Sequence, residues 1–102
     1  QKYLSGVDIG ASYGATIVAA DGGTVITAGS VSGYGNCVVI NHGNGITTLY
    51  GHMSSIAVSS GQKVSKGQTI GYVGSTGNST GPHLHWEVTV NGVRQNPLNY
   101  AS

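Results

Sequence analysis

The sequence is poor in charge. Asp, Glu, Lys and Arg together make up 7% of its 102 residues, and the net charge is +1. The basic residues Lys2, Lys63, Lys66 and Arg94 are scattered, so no basic patch is available for the phosphates of a nucleic acid. No apolar run is long enough to cross a bilayer, and no signal-peptide pattern is present. The sequence thus predicts neither nucleic-acid binding nor a membrane span.

Phenylalanine is absent, and one cysteine, Cys37, excludes an internal disulfide. Cys37 begins the apolar run 37–41, which predicts a strand buried on both faces and a structural thiol. Gly is abundant, at 18 residues, which together with low charge is compatible with disorder. Val, Ile and Tyr nevertheless recur in short runs between turns, a pattern typical of an all-β domain. We expect one domain over residues 1–102, excised from a longer precursor.

The most informative stretch is GPHLHWE at residues 81–87. Side chains alternate along a strand, so His83 and His85 share one face and Leu84 faces the core. Glu87 shares the histidine face and could orient an imidazole, whereas Trp86 is predicted to lie in the core. The strand is predicted to end at the Asn91-Gly92 turn. Two histidines on one strand face indicate a ligand or acid–base site.

Other segments carry further candidate residues. Asp8 lies in an apolar run and either caps a turn or directs a carboxylate to a site. His52 shares a predicted strand face with Tyr50, while His42, beside a Gly-Asn-Gly turn, is interpreted as structural. Asp8, His52, His83 and His85 form an inventory that suits a mononuclear zinc hydrolase, whose metal uses His and carboxylate ligands and one open position for water.

Turn residues divide the remaining chain into short strands. Residues 16–20 and 24–28 are predicted to pair as a hairpin around Asp21-Gly22. Two loops of small residues, 29–36 and 75–81, are candidate walls of a groove for an extended peptide, with Tyr34 and Asn78 among the candidate contacts. Tyr50 either lines this groove or lies in the core with its hydroxyl hydrogen-bonded.

These segments resemble the lysostaphin-type (LytM-like) zinc metallopeptidases, which cut peptide cross-links in bacterial peptidoglycan. The resemblance covers nearly the whole chain and is carried by SGVDI at 5–9, NHGNGITTLYGHM at 41–53, GQKVSKGQTIGYVG at 61–74 and STGNSTGPHLHWE at 75–87. It implies an antiparallel β-sandwich, also described as a barrel-sandwich or duplicated hybrid motif, with a substrate groove. It also implies that Asp8 and His85 bind one zinc ion, while His52 and His83 flank the attacking water and the scissile carbonyl.

One position departs from the family pattern. The family's first zinc ligand is a histidine four residues before the aspartate, and this chain has Leu4 there. A leucine side chain cannot donate electrons to a metal and displaces water from its surroundings. Loss of one imidazole ligand costs several kcal/mol of zinc affinity.

Two readings of function follow. The first is a peptidoglycan-directed domain with impaired or no hydrolysis, which acts in binding, scaffolding or hydrolase activation in the cell envelope, with other envelope proteins as further partners. The second is an active zinc metalloendopeptidase whose third ligand comes from elsewhere, or in which Leu4 is a laboratory substitution. A biotinyl or lipoyl carrier domain has one lysine at the tip of a hairpin, typically flanked by Met. Met53 is not near Lys63 or Lys66 in sequence, so this function is disfavoured. We expect a bacterial extracellular or envelope location and a monomer.

Overall fold

The computed structural model describes residues 7–77 and 81–96. Within these ranges the chain forms nine strands and no helix. The strands are β1 Val7–Gly10, β2 Thr16–Val18, β3 Gly23–Val31, β4 Gly35–Gly43, β5 Ile46–Ile56, β6 Lys63–Val64, β7 Thr69–Val73, β8 His83–Val90 and β9 Val93–Gln95. Accordingly, no helix in the described part of the chain is long and apolar enough to cross a membrane. The all-β prediction is confirmed.

The nine strands pair in antiparallel fashion and form one sheet. Its main path runs β1-β8-β5-β4-β3-β6, with β9 added to β8 and β2 joined through β7. The central strand β5 pairs with β4 along one edge. Along its other edge it pairs first with β8 over residues 46–51 and then with β7 over residues 53–56. This change of partner lets the sheet curl and enclose a core.

The core consists of side chains spread along the chain from Ile17 to Val88. Its fully buried members are mostly β-branched, as the pleated surface of a sheet favours. They include Cys37, Val38 and Ile40 of β4, Ile70 of β7 and Val88 of β8. The prediction of a strand buried on both faces at 37–41 is confirmed for Cys37, Val38 and Ile40, which are 0% exposed. It is wrong for the rest of the run, because Val39 is half-buried and Asn41 is exposed.

The predicted hairpin between residues 16–20 and 24–28 is wrong. β2 pairs with β7, and β3 pairs with β4 and β6. The backbone of Ala19 continues the link to the β7 side, since its N–H donates to Gln68 O at 2.9 Å. Asp21 turns the chain locally, and its Oδ1 accepts from Gly22 N at 2.8 Å. An Asp-Gly turn specifies a reversal of the chain, but burial of the flanking apolar residues selects the strand partner.

The predicted loop 29–36 is shorter in the structure. β3 continues to Val31 and β4 begins at Gly35, with Gly29 opposite Cys37 and Ser30 opposite Asn36. Cross-strand hydrogen bonds thus outweigh the weak strand preference of the small residues. The Asn91-Gly92 turn is confirmed, because both residues have positive φ, 52° and 82°, as a type I′ hairpin requires.

Candidate functional site

β8 presents two different faces, as its sequence predicts. Trp86 and Val88 belong to the hydrophobic core, and Leu84 packs against it. His85 and Glu87 point to the other face, where His85 Nε2 lies 2.9 Å from Glu87 Oε2. His85 and Glu87 are 7% and 4% exposed. The period-two alternation therefore separates a core face from a polar, mostly buried face on the same strand.

His52 reaches this polar face from β5 through an unusual backbone conformation. Its φ is +60°, a left-handed value that is uncommon for residues other than glycine. The conformation occurs where β5 leaves β8 and joins β7. The His52 N–H donates to Tyr34 O at 2.7 Å, and the ring Nδ1 lies 2.6 Å from Thr76 O. These two hydrogen bonds hold a strained residue in place, which is typical of functional positions.

Three histidine rings meet at this point. The ring centroid of His52 lies 5.0 Å from that of His83 and 5.7 Å from that of His85. The three residues come from two strands that pair through Gly51 and His85. The structure thus brings together three of the four residues that the sequence inventory assigned to one site.

Each of these rings has one nitrogen held by an acceptor. A carbonyl oxygen can only accept, so the neutral His52 ring donates from Nδ1 to Thr76 O, and the neutral His83 ring donates from Nδ1 to Gly81 O at 2.9 Å. His85 donates from Nε2 to the Glu87 carboxylate. The lone pair of a neutral ring therefore lies on Nε2 of His52 and His83 and on Nδ1 of His85.

Glu87 is the centre of a polar network. The Tyr34 hydroxyl donates to Glu87 Oε2 at 2.7 Å, and Arg94 Nε lies 3.5 Å from Oε1. Burial alone would raise the pKa of Glu87. Hydrogen bonds from His85 and Tyr34, and then the charge of Arg94, outweigh burial and hold the pKa below its ordinary value. Burial, followed by the hydrogen bond to Glu87, raises the pKa of Tyr34. In this network a tyrosine hydroxyl, an imidazole and a guanidinium surround one carboxylate.

The structure describes only part of the predicted zinc site. Asp8 lies in β1 directly opposite His85 in the strand register. Leu4 and the groove candidate Asn78 lie outside the described residues. Across the described ranges, no group of three or more His, Cys, Asp or Glu side chains is arranged to hold a metal ion. Of the predicted zinc ligands, the structure thus describes the side chain of His85 and the register position of Asp8 opposite it.

Tyr50 lies in the core, not in a groove. It is 2% exposed, its hydroxyl accepts from Ala20 N at 3.0 Å, and Thr48 Oγ1 lies 2.7 Å away. The structure therefore supports the core alternative for Tyr50. The reason is that Tyr50 pairs across strands with Trp86, on the face of the sheet opposite His85. The hydroxyl of Tyr34, another predicted groove contact, donates to Glu87, and its part in a groove stays a prediction.

His42 has a structural environment, in agreement with its interpretation from sequence. Its Nδ1 donates to Gly22 O at 2.8 Å and its Nε2 lies 2.7 Å from Thr48 Oγ1. His42 lines a shallow pocket of about 270 Å³ together with Trp86 and Lys66. The indole Nε1 of Trp86 is buried near the Tyr50 hydroxyl but makes no hydrogen bond of good geometry with any described residue.

Two residues of the site were missed by sequence reasoning. Thr76 accepts from the ring of His52 with its carbonyl, and its hydroxyl donates to Met53 O at 2.7 Å and accepts from Asn36 N at 3.1 Å. Arg94 follows the hairpin turn and reaches Glu87 and Tyr34. Neither contact has a signal in sequence, because Thr76 lies in a loop of small residues and Arg94 looks like a solvated turn residue.

The structure is thus a curled antiparallel sheet that gathers three histidines and a carboxylate on one face. Comparison with known proteins gives the family. Residues 2–97 match the model of peptidase family M23, and the chain belongs to that family. The resemblance to lysostaphin-type peptidases that the sequence motifs indicated is confirmed.

Among curated relatives, the DD-carboxypeptidase/endopeptidase Mpg of Neisseria meningitidis is 45% identical over 97 residues, which are 95% of this chain and 22% of Mpg. The murein hydrolase activator NlpD of Salmonella dublin is 41% identical over 96 residues, 93% of this chain and 25% of NlpD. The chain thus spans about a quarter or less of the length of these relatives. The family therefore includes both an enzyme and a protein named as an activator of hydrolases.

Solved structures give the same fold. The catalytic domain of lysostaphin from Staphylococcus simulans superposes with a TM-score of 0.89 at 35% identity, over 94% of this chain and 77% of that one. A zinc-containing peptidase from Vibrio cholerae superposes with a TM-score of 0.86 at 38% identity, over 90% of this chain and 28% of that one. The predicted antiparallel sandwich architecture is confirmed by these neighbours.

Proposed function

We propose that this chain is a peptidoglycan-directed domain of the M23 family that binds peptide stems or cross-bridges and hydrolyses them weakly or not at all. The observation that carries the proposal is the short donor set: His85 and Asp8 lie opposite each other in the strand register, and Leu4 stands where the family pattern has a third zinc ligand. Curated relatives named for peptidoglycan or murein chemistry support the substrate class. An envelope location follows from that substrate.

The donor set partly fits a zinc ion. His85 donates through Nε2 to Glu87, which leaves the Nδ1 lone pair as a metal donor, and a ligand histidine with a carboxylate on its other nitrogen is a common arrangement. Asp8, opposite His85 in the register, is the second donor. Leu4 stands where the family pattern has the third. Two protein donors are one fewer than a catalytic zinc site usually has, so we expect weak binding.

The role of the chain's own residues follows from their tautomers. When bound, zinc lowers the pKa of a coordinated water to about 7. Nε2 of His52 and of His83 is the basic nitrogen in each neutral ring, so either can accept a proton from a nucleophile and, once protonated, can donate to a developing oxyanion. The carbonyl oxygens of Thr76 and Gly81 accept from Nδ1 of these rings, so the proton of each neutral ring stays on Nδ1 and the lone pair stays on Nε2.

An active endopeptidase is the second candidate function. The histidine cluster favours it, because an inactive copy has no chemical need to keep the anchored rings of His83 and His85 at 5.0 and 5.7 Å from the ring of His52. This alternative requires a third zinc ligand in addition to His85 and Asp8.

Zinc affinity measured by competition with a chelator, together with release of peptides from purified peptidoglycan, tests the proposal. We expect the unaltered chain to hold less than one zinc per chain, and Leu4→His to bind one zinc and gain cleavage. Tyr3→His is the matched control, since it adds the same imidazole one position away, and it should change neither readout. Stoichiometric zinc with cleavage by the unaltered chain would contradict the proposal and support the second candidate.

Binding is measured separately by sedimentation with insoluble peptidoglycan. The proposal requires the unaltered chain to sediment with it whether or not zinc is present. Failure to sediment would remove peptidoglycan as the ligand and, with it, the binding or scaffolding role.

A further inference from the structure

We propose that Tyr34 and Arg94 are positioning residues that act through Glu87 to hold His85 as the Nε2–H tautomer, with its lone pair on Nδ1. The tautomer itself is a property of the metal-free chain. The consequence for zinc rests on the proposed function above.

Three side chains hold the carboxylate of Glu87. Oε2 of Glu87 receives the Tyr34 hydroxyl at 2.7 Å and the His85 Nε2 at 2.9 Å. Arg94 Nε faces the other oxygen, Oε1, at 3.5 Å. Glu87 is only 4% exposed, so water contributes little to holding it. The orientation of this carboxylate is therefore set by Tyr34, His85 and Arg94.

The directions of the hydrogen bonds around Glu87 follow from which groups can donate. A guanidinium can only donate, and Arg94 Nη2 lies 3.4 Å from the Tyr34 hydroxyl oxygen. With that oxygen accepting from Arg94, the Tyr34 proton is committed to Glu87. The Glu87 carboxylate is then an acceptor on every side, so His85 Nε2 must carry the proton in their shared contact.

Tyr34 also packs against the histidine cluster. The Tyr34 ring lies against the His85 ring, with centroids 5.5 Å apart and planes inclined by 37°. The Tyr34 carbonyl also accepts the His52 backbone N–H at 2.7 Å. Tyr34 thus connects two of the three histidines from a turn between β3 and β4. Removal of its hydroxyl should loosen the Glu87 side chain without emptying the space that the ring fills.

The long-range ¹H–¹⁵N spectrum of the zinc-free full chain at pH 8 tests the tautomer, because the two nitrogens of a neutral imidazole have different shifts when protonated. We expect His85 as Nε2–H in the unaltered chain and a substantial fraction of Nδ1–H in Tyr34→Phe and Arg94→Gln. Arg94→Lys keeps the charge but not the fork of donors, and should give an intermediate fraction. Tyr13→Phe and Lys63→Gln are matched exposed controls that should leave the spectrum of His85 unchanged.

Zinc affinity is the second readout, measured in the Leu4→His background. Loss of partners behind a ligand histidine typically weakens metal binding by about 10- to 100-fold, so Tyr34→Phe and Arg94→Gln should each raise the dissociation constant by about 10-fold. An unchanged tautomer in both variants would overturn the proposal and leave Tyr34 and Arg94 as structural residues only. A tautomer change in a chain that binds no zinc even with Leu4→His would support positioning but contradict the zinc site of His85, Asp8 and residue 4 in the proposed function.

Discussion

At the scale of single residues, the site depends on hydrogen bonds that hold one ring nitrogen of each clustered histidine. Each of the three clustered histidines has one ring nitrogen on an acceptor. The acceptor is a backbone carbonyl for His52 and His83, from Thr76 and Gly81, and the Glu87 carboxylate for His85. A free imidazole exchanges its tautomers readily, whereas an anchored one presents the same lone pair continuously. The chemistry of the cluster therefore depends on residues that are not themselves histidines.

Cys37 provides a prediction on pH. The thiol is 0% exposed, and burial, followed by the charge of Glu87, raises its pKa from 9.0 to about 11. The unfolded chain loses the thiol proton first, so stability that is fully present below pH 9 should fall as pH rises toward 11, by about 2–3 kcal/mol from this group. Urea unfolding of the unaltered chain at several pH values measures the slope.

Cys37→Ala is the control for that slope. Tyr34 and Tyr50 also have raised pKa values and contribute a decline of their own at high pH. The variant retains this tyrosine contribution and should lose only the part that belongs to the thiol. Equal slopes for both proteins between pH 9 and 11 would show that Cys37 titrates normally in the folded chain.

Trp86 provides a prediction on a buried donor. Among the described residues its indole N–H has no hydrogen-bond partner of good geometry, and an unpaired buried donor costs about 1–3 kcal/mol. Trp86→Phe removes that cost while it leaves a cavity, so the two effects should cancel to within about 1 kcal/mol. Trp86→Ala also removes the unpaired N–H but leaves a much larger cavity, so it should cost about 3–5 kcal/mol. Urea unfolding followed by circular dichroism compares them, and equal losses would show that the indole is hydrogen-bonded.

At the scale of elements, the site forms where β5 changes partners. The strand pairs with β8 up to Gly51 and with β7 from Met53, and His52 lies between these two registers with positive φ. A regular strand would place His52 and Tyr50 on one face, as the alternating pattern predicts. The left-handed residue breaks that alternation, so Tyr50 enters the core and His52 joins the polar face.

Gly77 provides a prediction about the loop that holds His52. Its φ is +75°, and a β-carbon there would lie 2.4 Å from Gly35 N and 2.7 Å from Tyr34 C. Gly77→Ala should therefore cost well over the ~1 kcal/mol of backbone strain alone and should disturb the Thr76 contact to His52.

Gly61→Ala is the matched control for that substitution. Gly61 has a similar φ of +92°, but a β-carbon there would meet no atom of the described residues within 4 Å. This variant should lose only about 1 kcal/mol. Both losses come from urea unfolding, and equal losses would mean that the close approach of Gly77 to the Tyr34–Gly35 turn is not maintained in solution.

At the scale of the whole molecule, many strand pairs join distant parts of the chain. β1 pairs with β8, β2 with β7 and β5 with β8. Contacts of this kind require closure of long loops before they contribute, so we expect folding in milliseconds to seconds. Stopped-flow fluorescence of Trp86, the one tryptophan and only 7% exposed, measures the rate. Folding within microseconds would contradict this view of the sheet.

The sequence by itself determined the fold class, the core strand at 37–41, the face of β8 that carries His83, His85 and Glu87, and the turn at Asn91. These features depend on short-range patterns: side-chain alternation, apolar runs and residues that accept positive φ. The family likeness followed from motifs of the same length. The pairing of Glu87 with His85 was anticipated because the two residues share a strand face two positions apart.

Only the tertiary structure decided which strands pair, where Tyr50 lies and which groups hold the histidine rings. The partners of β2 and β3 depend on how the apolar faces fit into one core, and an Asp-Gly turn is compatible with several pairings. Tyr34 and Arg94 lie 53 and 7 positions from Glu87, and Thr76 lies 24 positions from His52. Such contacts arise from the curling of the sheet at β5, and no local pattern of residues encodes that geometry.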